Sequence, residues 1–151
     1  MASAIVAYLH YLSIFVLFAL LGIEHVQFKA PLDSARARSL MITDIAYGIC
    51  AGLVLLTGLA RVLWFGKGSA YYLGNGLFHA KVGLFVLAAL LSILPTWVFL
   101  GWRKTIQAGQ VPTPSASQVK RVTWAIRLQL LLLLVIPLLA VLMARGHGVI
   151  G

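Results

Sequence analysis

Apolar residues along this chain fall into four long runs, at approximately 4–25, 43–65, 76–102 and 121–144, separated by short polar connections. Each run supplies the ~20 mostly apolar residues that a helix needs to cross the hydrocarbon layer. Strands of a membrane barrel would read as short alternating segments instead. The pattern predicts an all-α integral membrane four-helix bundle forming a single transmembrane domain over 1–151. Pro95 in the third run and Pro137 in the fourth predict local kinks. The first run has no basic stretch before it and no small-residue cleavage signal after it, so it reads as an uncleaved span.

Composition agrees with that reading: 62% of residues are hydrophobic and 10% charged, against roughly 25% charged in soluble domains. A net charge of +9 would suggest nucleic acid in a soluble protein. Here the charge is concentrated in two connections, at Lys29, Arg36 and Arg38, and at Arg103, Lys104, Lys120 and Arg121. By the positive-inside rule these loops are cytoplasmic and both termini lie outside. The surplus is then a topology signal with attraction to anionic lipid, and no nucleic-acid partner is expected. Cys50 is the single cysteine, so neither a disulfide frame nor a thiolate metal site is available. Gly, Pro, Ser and Gln between residues 105 and 120 predict a mobile loop. Tyr71 and Tyr72 read as interfacial anchors. Gly48 and Gly52 form a G-x-x-x-G that permits close helix contact, or less directly a bare face for a flat cofactor.

Ionisable groups inside the apolar runs are the candidate chemistry, because placing them in lipid is costly. His10 lies in the first run, and Phe78-His79-Ala80-Lys81 opens the third. The predicted topology places both histidines in the outer leaflet. If the first and third helices face one another, the two imidazoles reach one buried object. His79 and Lys81 are about 200° apart around a helix, so they need different roles. Lys81 either snorkels while His79 faces inward, or faces inward itself toward an anionic substrate. Glu24 follows His10 by 14 residues, on nearly the same face and about 21 Å deeper. With His25, Asp44 and Arg127 it forms a polar cluster at the cytoplasmic end, in which Glu24 or Asp44 is expected to pair with Arg127. A proton-entry site is the alternative there. If a cofactor is present, iron in a porphyrin suits two imidazoles in an apolar bundle, whereas zinc would want further ligands. Met1, Met41 and Met143 form no cluster, which disfavours copper.

The chain resembles a bacterial family of predicted membrane proteins without assigned function. Asp44, Tyr47-Gly48, Thr57-Gly58, Arg61, Gly66-Lys67-Gly68, Tyr72, Asn75 and His79-Ala80-Lys81 carry that resemblance. More distantly, His10 and Phe78-His79-Ala80-Lys81 resemble the HemJ-type membrane protoporphyrinogen oxidases, which have a helix-1 histidine and a W-x-H-A-K-like opening of helix 3. Leu77 stands where those proteins carry Trp, and Glu24-His25 where they carry a Pro-Arg-like ending. The resemblance implies a bacterial inner-membrane, multi-pass protein with periplasmic termini that binds haem b. It implies His10 as an axial ligand and Lys81 as the residue that a porphyrin reaction needs, with electrons passing to quinone or the respiratory chain.

The expectation is therefore a haem-b membrane redox protein acting in a HemJ-like way on a porphyrinogen. His10 and His79 are the candidate metal ligands, Lys81 the candidate catalytic residue, and Arg61 a second carboxylate partner. A cofactor-free assembly factor, transporter subunit or proton-conducting bundle is the alternative, in which His10 and Glu24 line a proton path. Four unbroken helices would then need a second copy or another partner.

Overall fold

The computed structural model describes residues 1–29 and 31–150. Four long helices form it, with short helical turns at two of the connections: α1 (Ala2–Lys29), α2 (Ser34–Ala60), α3 (Ser69–Leu73), α4 (Gly76–Gly101), α5 (Arg103–Gln107) and α6 (Ala116–Ala144). A π-helical turn, Arg61–Phe65, continues α2. With these extensions the four spans are 28 to 32 residues long, enough to cross a bilayer. Both α4 and α6 remain helical through Pro95 and Pro137.

Local chemistry sets the helix starts. The Asp33 carboxylate accepts the Arg36 backbone N–H at 2.7 Å and caps α2. Ser115 and Gln118 form a reciprocal capping box on α6, which therefore begins several residues before its apolar run. Asn75 caps α4 through Leu77 and Phe78. Its amide also donates to the His147 carbonyl at 3.0 Å, so the C-terminal tail is tied to the start of α4. The Gly76 N–H to Gly148 carbonyl bond strengthens that tie, and Asn75 is fully buried beneath it.

The spans run alternately up and down. One end carries both termini and the Gly66–Asn75 connection; the other carries the two basic loops. α1 packs on α2 and on α6, and α4 packs on α2 and on α6. Among the described residues the backbones of α1 and α4 stay apart and the two helices meet through side chains, so they stand diagonally, as do α2 and α6. The sequence could not decide whether the first and third helices face one another; the bundle sets them across its core, with α2 and α6 on either side.

Most large apolar side chains point outward, among them Phe15, Trp64, Trp97 and Trp124. That suits helices solvated by lipid rather than water. The interior is a narrow stack of Leu17, Leu21, Leu40, Tyr47, Val54, Phe99, Val122, Ile126 and Leu133. Phe28, Phe99 and Trp102 close it at the basic-loop end, with ring centroids 5.1 to 6.5 Å apart. The Tyr pair is not a simple lipid anchor: Tyr72 is buried, and the Tyr71 hydroxyl donates to the Met143 carbonyl at 2.8 Å. Gly48 and Gly52 lie on the exposed face of α2 with open space where a Cβ would be, so the G-x-x-x-G makes no helix contact within the chain.

Candidate functional site

Polar side chains gather at two levels of the bundle, one near each end. At the termini end, His10 of α1 is half-buried and its Nδ1 lies 2.9 Å from the Thr57 hydroxyl of α2. Thr57 has one hydroxyl hydrogen, and the Leu53 carbonyl, 2.6 Å away, receives it. The oxygen therefore accepts from His10, placing the ring hydrogen on Nδ1 and leaving the Nε2 lone pair free. Gly58 makes room for this ring: a Cβ there would lie 3.2 Å from His10 Cε1.

Two cations flank the imidazole. Arg61 and Lys81 are both half-buried, and both lie close enough for their charges to act on His10. The Arg61 guanidinium sits 5.2 Å from the centre of the Tyr11 ring, and Lys81 Nζ 5.3 Å from that of Phe78. Neither meets a carboxylate; among the described residues the single ion pair is Arg36–Asp33, at 3.9 Å. Three nitrogen-bearing groups thus share one level of the membrane with no anion beside them.

His79 does not join them. It is exposed, and its Nε2 lies 2.9 Å from the carbonyl of Leu73, the last residue of α3. Of the pair that helical spacing separates, Lys81 is the one turned toward the bundle. Two imidazoles closing on one object from α1 and α4 are not what the fold assembles, because the His79 ring is exposed and engaged at the Leu73 carbonyl.

At the basic-loop end, all four spans contribute to a second centre. Glu24 of α1 and Asp44 of α2 are buried, 1% and 2% exposed, and lie within reach of each other's charge. Thr96 of α4 donates to Asp44 Oδ1 at 2.9 Å. Tyr47 donates across the bundle to Gln129 of α6 at 3.1 Å, and Gln129 donates in turn to the Ala125 carbonyl at 3.2 Å. The ion pair expected between Glu24 or Asp44 and Arg127 is not formed. Arg127 is exposed, on the outside of α6, because the inward-facing position beside it is taken by Ile126. His25 is half-buried and feels the charges of Lys29 and Arg127 rather than joining the carboxyl pair. Thr96 and Gln129 were not singled out from the sequence, although each is an isolated polar residue within an apolar run. That isolation was the available signal.

Leu17 and Leu21, each 1% exposed, lie between His10 and Glu24 on the buried stripe of α1. The two centres are thus separated by apolar packing, and His10 and Glu24 do not form a continuous polar column. Among the described residues no three His, Cys, Asp or Glu side chains converge in a metal-binding group.

No curated protein and no solved structure matches the chain. A family model described as "Predicted membrane protein (DUF2214)" matches residues 2–148. Four apolar spans in an up-and-down bundle and a match over nearly the whole length lead to one conclusion: the chain belongs to the DUF2214 family of predicted membrane proteins.

Proposed function

We propose that the termini end of the bundle binds a porphyrin through its carboxylates and that the protein is a haem-b-binding membrane redox protein. The observation that carries this reading is the His10 imidazole, held by Thr57 with Nε2 free, beside two cations that have no anionic partner. Haem b takes an axial protein ligand, of which histidine is one of the usual ones, and its two propionates are anions. His10, Arg61 and Lys81 fit those needs. His79 does not fit as the opposite ligand, since its Nε2 is directed to the Leu73 carbonyl. His10 is therefore the single protein ligand in this reading.

Haem b, when bound, supplies one-electron chemistry. The chain's own residues do the rest. Thr57 fixes the tautomer and plane of His10, as hydrogen-bonding partners of metal-ligating histidines do elsewhere. Arg61 and Lys81 hold carboxylates at the depth where their charges sit. Leu17 and Leu21 close the inner side of the site against water and ions. If a porphyrinogen is also a substrate, Lys81 is the residue that positions its carboxylate, and electrons leave toward quinone or the respiratory chain.

The test is a titration of the purified protein, in mild detergent, with hemin. Stoichiometric uptake with a shifted Soret band supports the reading, and no uptake sinks it. Rescue of a strain lacking protoporphyrinogen oxidase then distinguishes an oxidase from an electron carrier. A cofactor-free, proton-conducting bundle is the second reading, favoured by the unpaired carboxyls of the other centre. The apolar layer at Leu17 and Leu21 opposes conduction through this one bundle.

A further inference from the structure

Charge in the centre of a membrane bundle is ordinarily paired or neutralised. Among the described residues no cation pairs with Glu24 or Asp44. Both Glu24 oxygens and Asp44 Oδ2 are buried without a hydrogen-bond partner. The hydroxyls of Thr96 and Tyr47 are already engaged, with Asp44 Oδ1 and Gln129, and the Gln129 amide gives one hydrogen to Ala125. Apart from Tyr47, which lies within reach of both carboxyls' charge, the charged and titratable groups on the packed elements form no pair with them. On α1 they are His25 and the exposed Lys29; on α2, Arg36, Arg38, Tyr47 and Cys50; on α6, the exposed Lys120, Arg121 and Arg127; on α5, the exposed Arg103 and Lys104. α4 offers Thr96, which does not titrate.

One hydrogen would serve two of these orphaned oxygens at once, by binding one carboxyl and bridging to the other. We propose that Glu24 and Asp44 form a proton-binding pair, holding a single exchangeable proton between them. An O–H bond forms at one carboxyl oxygen, the hydrogen is shared with the other carboxylate, and bulk water is both the source and the recipient of the proton. Exchange runs to the basic-loop side. The Gln27 amide donates to Ser39 at 2.9 Å beside a surface depression lined by Ser39 and Thr43, the residue preceding Asp44. The opposite direction is blocked by Leu17 and Leu21. The pair is independent of whatever the termini end binds.

Glu24 is the single glutamate in the sequence, which permits a direct test. Infrared spectra of the purified protein at pH 7, labelled with carboxyl-13C glutamate, are compared in H2O and D2O. The carbonyl stretch of a protonated carboxylic acid is expected; it shifts in D2O, shifts with the glutamate label or with labelled aspartate, and is lost or moved in both Glu24→Gln and Asp44→Asn. The absence of a deuterium-sensitive carboxylic-acid band in the wild type overturns the proposal, as does a band insensitive to both labels. Should either variant fail to fold, the labelled wild type alone decides. Thermal stability that rises with sodium, potassium or magnesium at fixed ionic strength, without such a band, also overturns it, because the occupant is then a metal cation.

Discussion

Thr57 accepts the Nδ1–H of His10 at 2.9 Å while giving its own hydrogen to the Leu53 carbonyl at 2.6 Å. That relay makes the free nitrogen of His10 a consequence of a threonine on the neighbouring helix. Thr57→Val keeps the shape and removes the relay. It should cost about 0.6 kcal/mol, the average for hydrogen bonds between membrane helices, and no more than about 1.7 kcal/mol. Hemin affinity should fall roughly 10–100-fold, as it does when partners of metal ligands are removed. Thr57→Ser should retain both. Thermal unfolding in detergent and hemin titration check the two effects.

Glycine positions on α2 should separate sharply. A Cβ at residue 58 meets the His10 ring at 3.2 Å, so Gly58→Leu should displace the imidazole and abolish hemin uptake. Gly48→Ala and Gly52→Ala meet open space and should leave uptake unchanged. Removing glycine from a helix interior stabilises by roughly 0.5–1 kcal/mol, so their melting temperatures should hold or rise. Uptake and melting of the three variants, measured side by side, check this.

Tyr47 and Gln129 connect the diagonal helices α2 and α6. Tyr47→Phe leaves the Gln129 oxygen buried without a donor, which should cost about 1–3 kcal/mol. Adding Gln129→Leu removes the orphaned group and should recover part of that loss. A double-mutant cycle on unfolding free energies measures the coupling, and additivity would show that the bond contributes nothing.

Much of the fold was legible from hydropathy alone. Four runs of apolar residues give four spans, and the caps at Asp33 and Ser115 explain why α2 and α6 start earlier than those runs. The facing of individual residues was less legible. Helices that are apolar all round show little periodicity, so the outward turn of Arg127 and of the Gly48–Gly52 face is set by packing with neighbours. Spacing separated His79 from Lys81; it could not say which of the two turns toward the bundle. That answer comes from the half-buried setting of Lys81 and from the Leu73 carbonyl that engages the exposed His79.

Asn75 joins two distant parts of the chain, and its two functions can be separated. Asn75→Asp keeps the acceptor that caps α4 but loses the donor to His147. Asn75→Ala loses both, and the missing cap alone should cost about 1 kcal/mol. Stability should therefore fall in the order wild type, Asp, Ala. Carboxypeptidase trimming of the tail should speed up in both variants, which a time course by mass spectrometry checks.

The central claim is that His10, and not His79, anchors a porphyrin iron at the termini end. Oxidised and dithionite-reduced visible spectra of hemin-loaded wild type, His10→Ala and His79→Ala test it most directly. The account predicts that His10→Ala shifts or loses the Soret and α bands while His79→Ala keeps the wild-type spectrum. A His10→Ala spectrum identical to wild type, or a wild type that takes up no hemin, would contradict it.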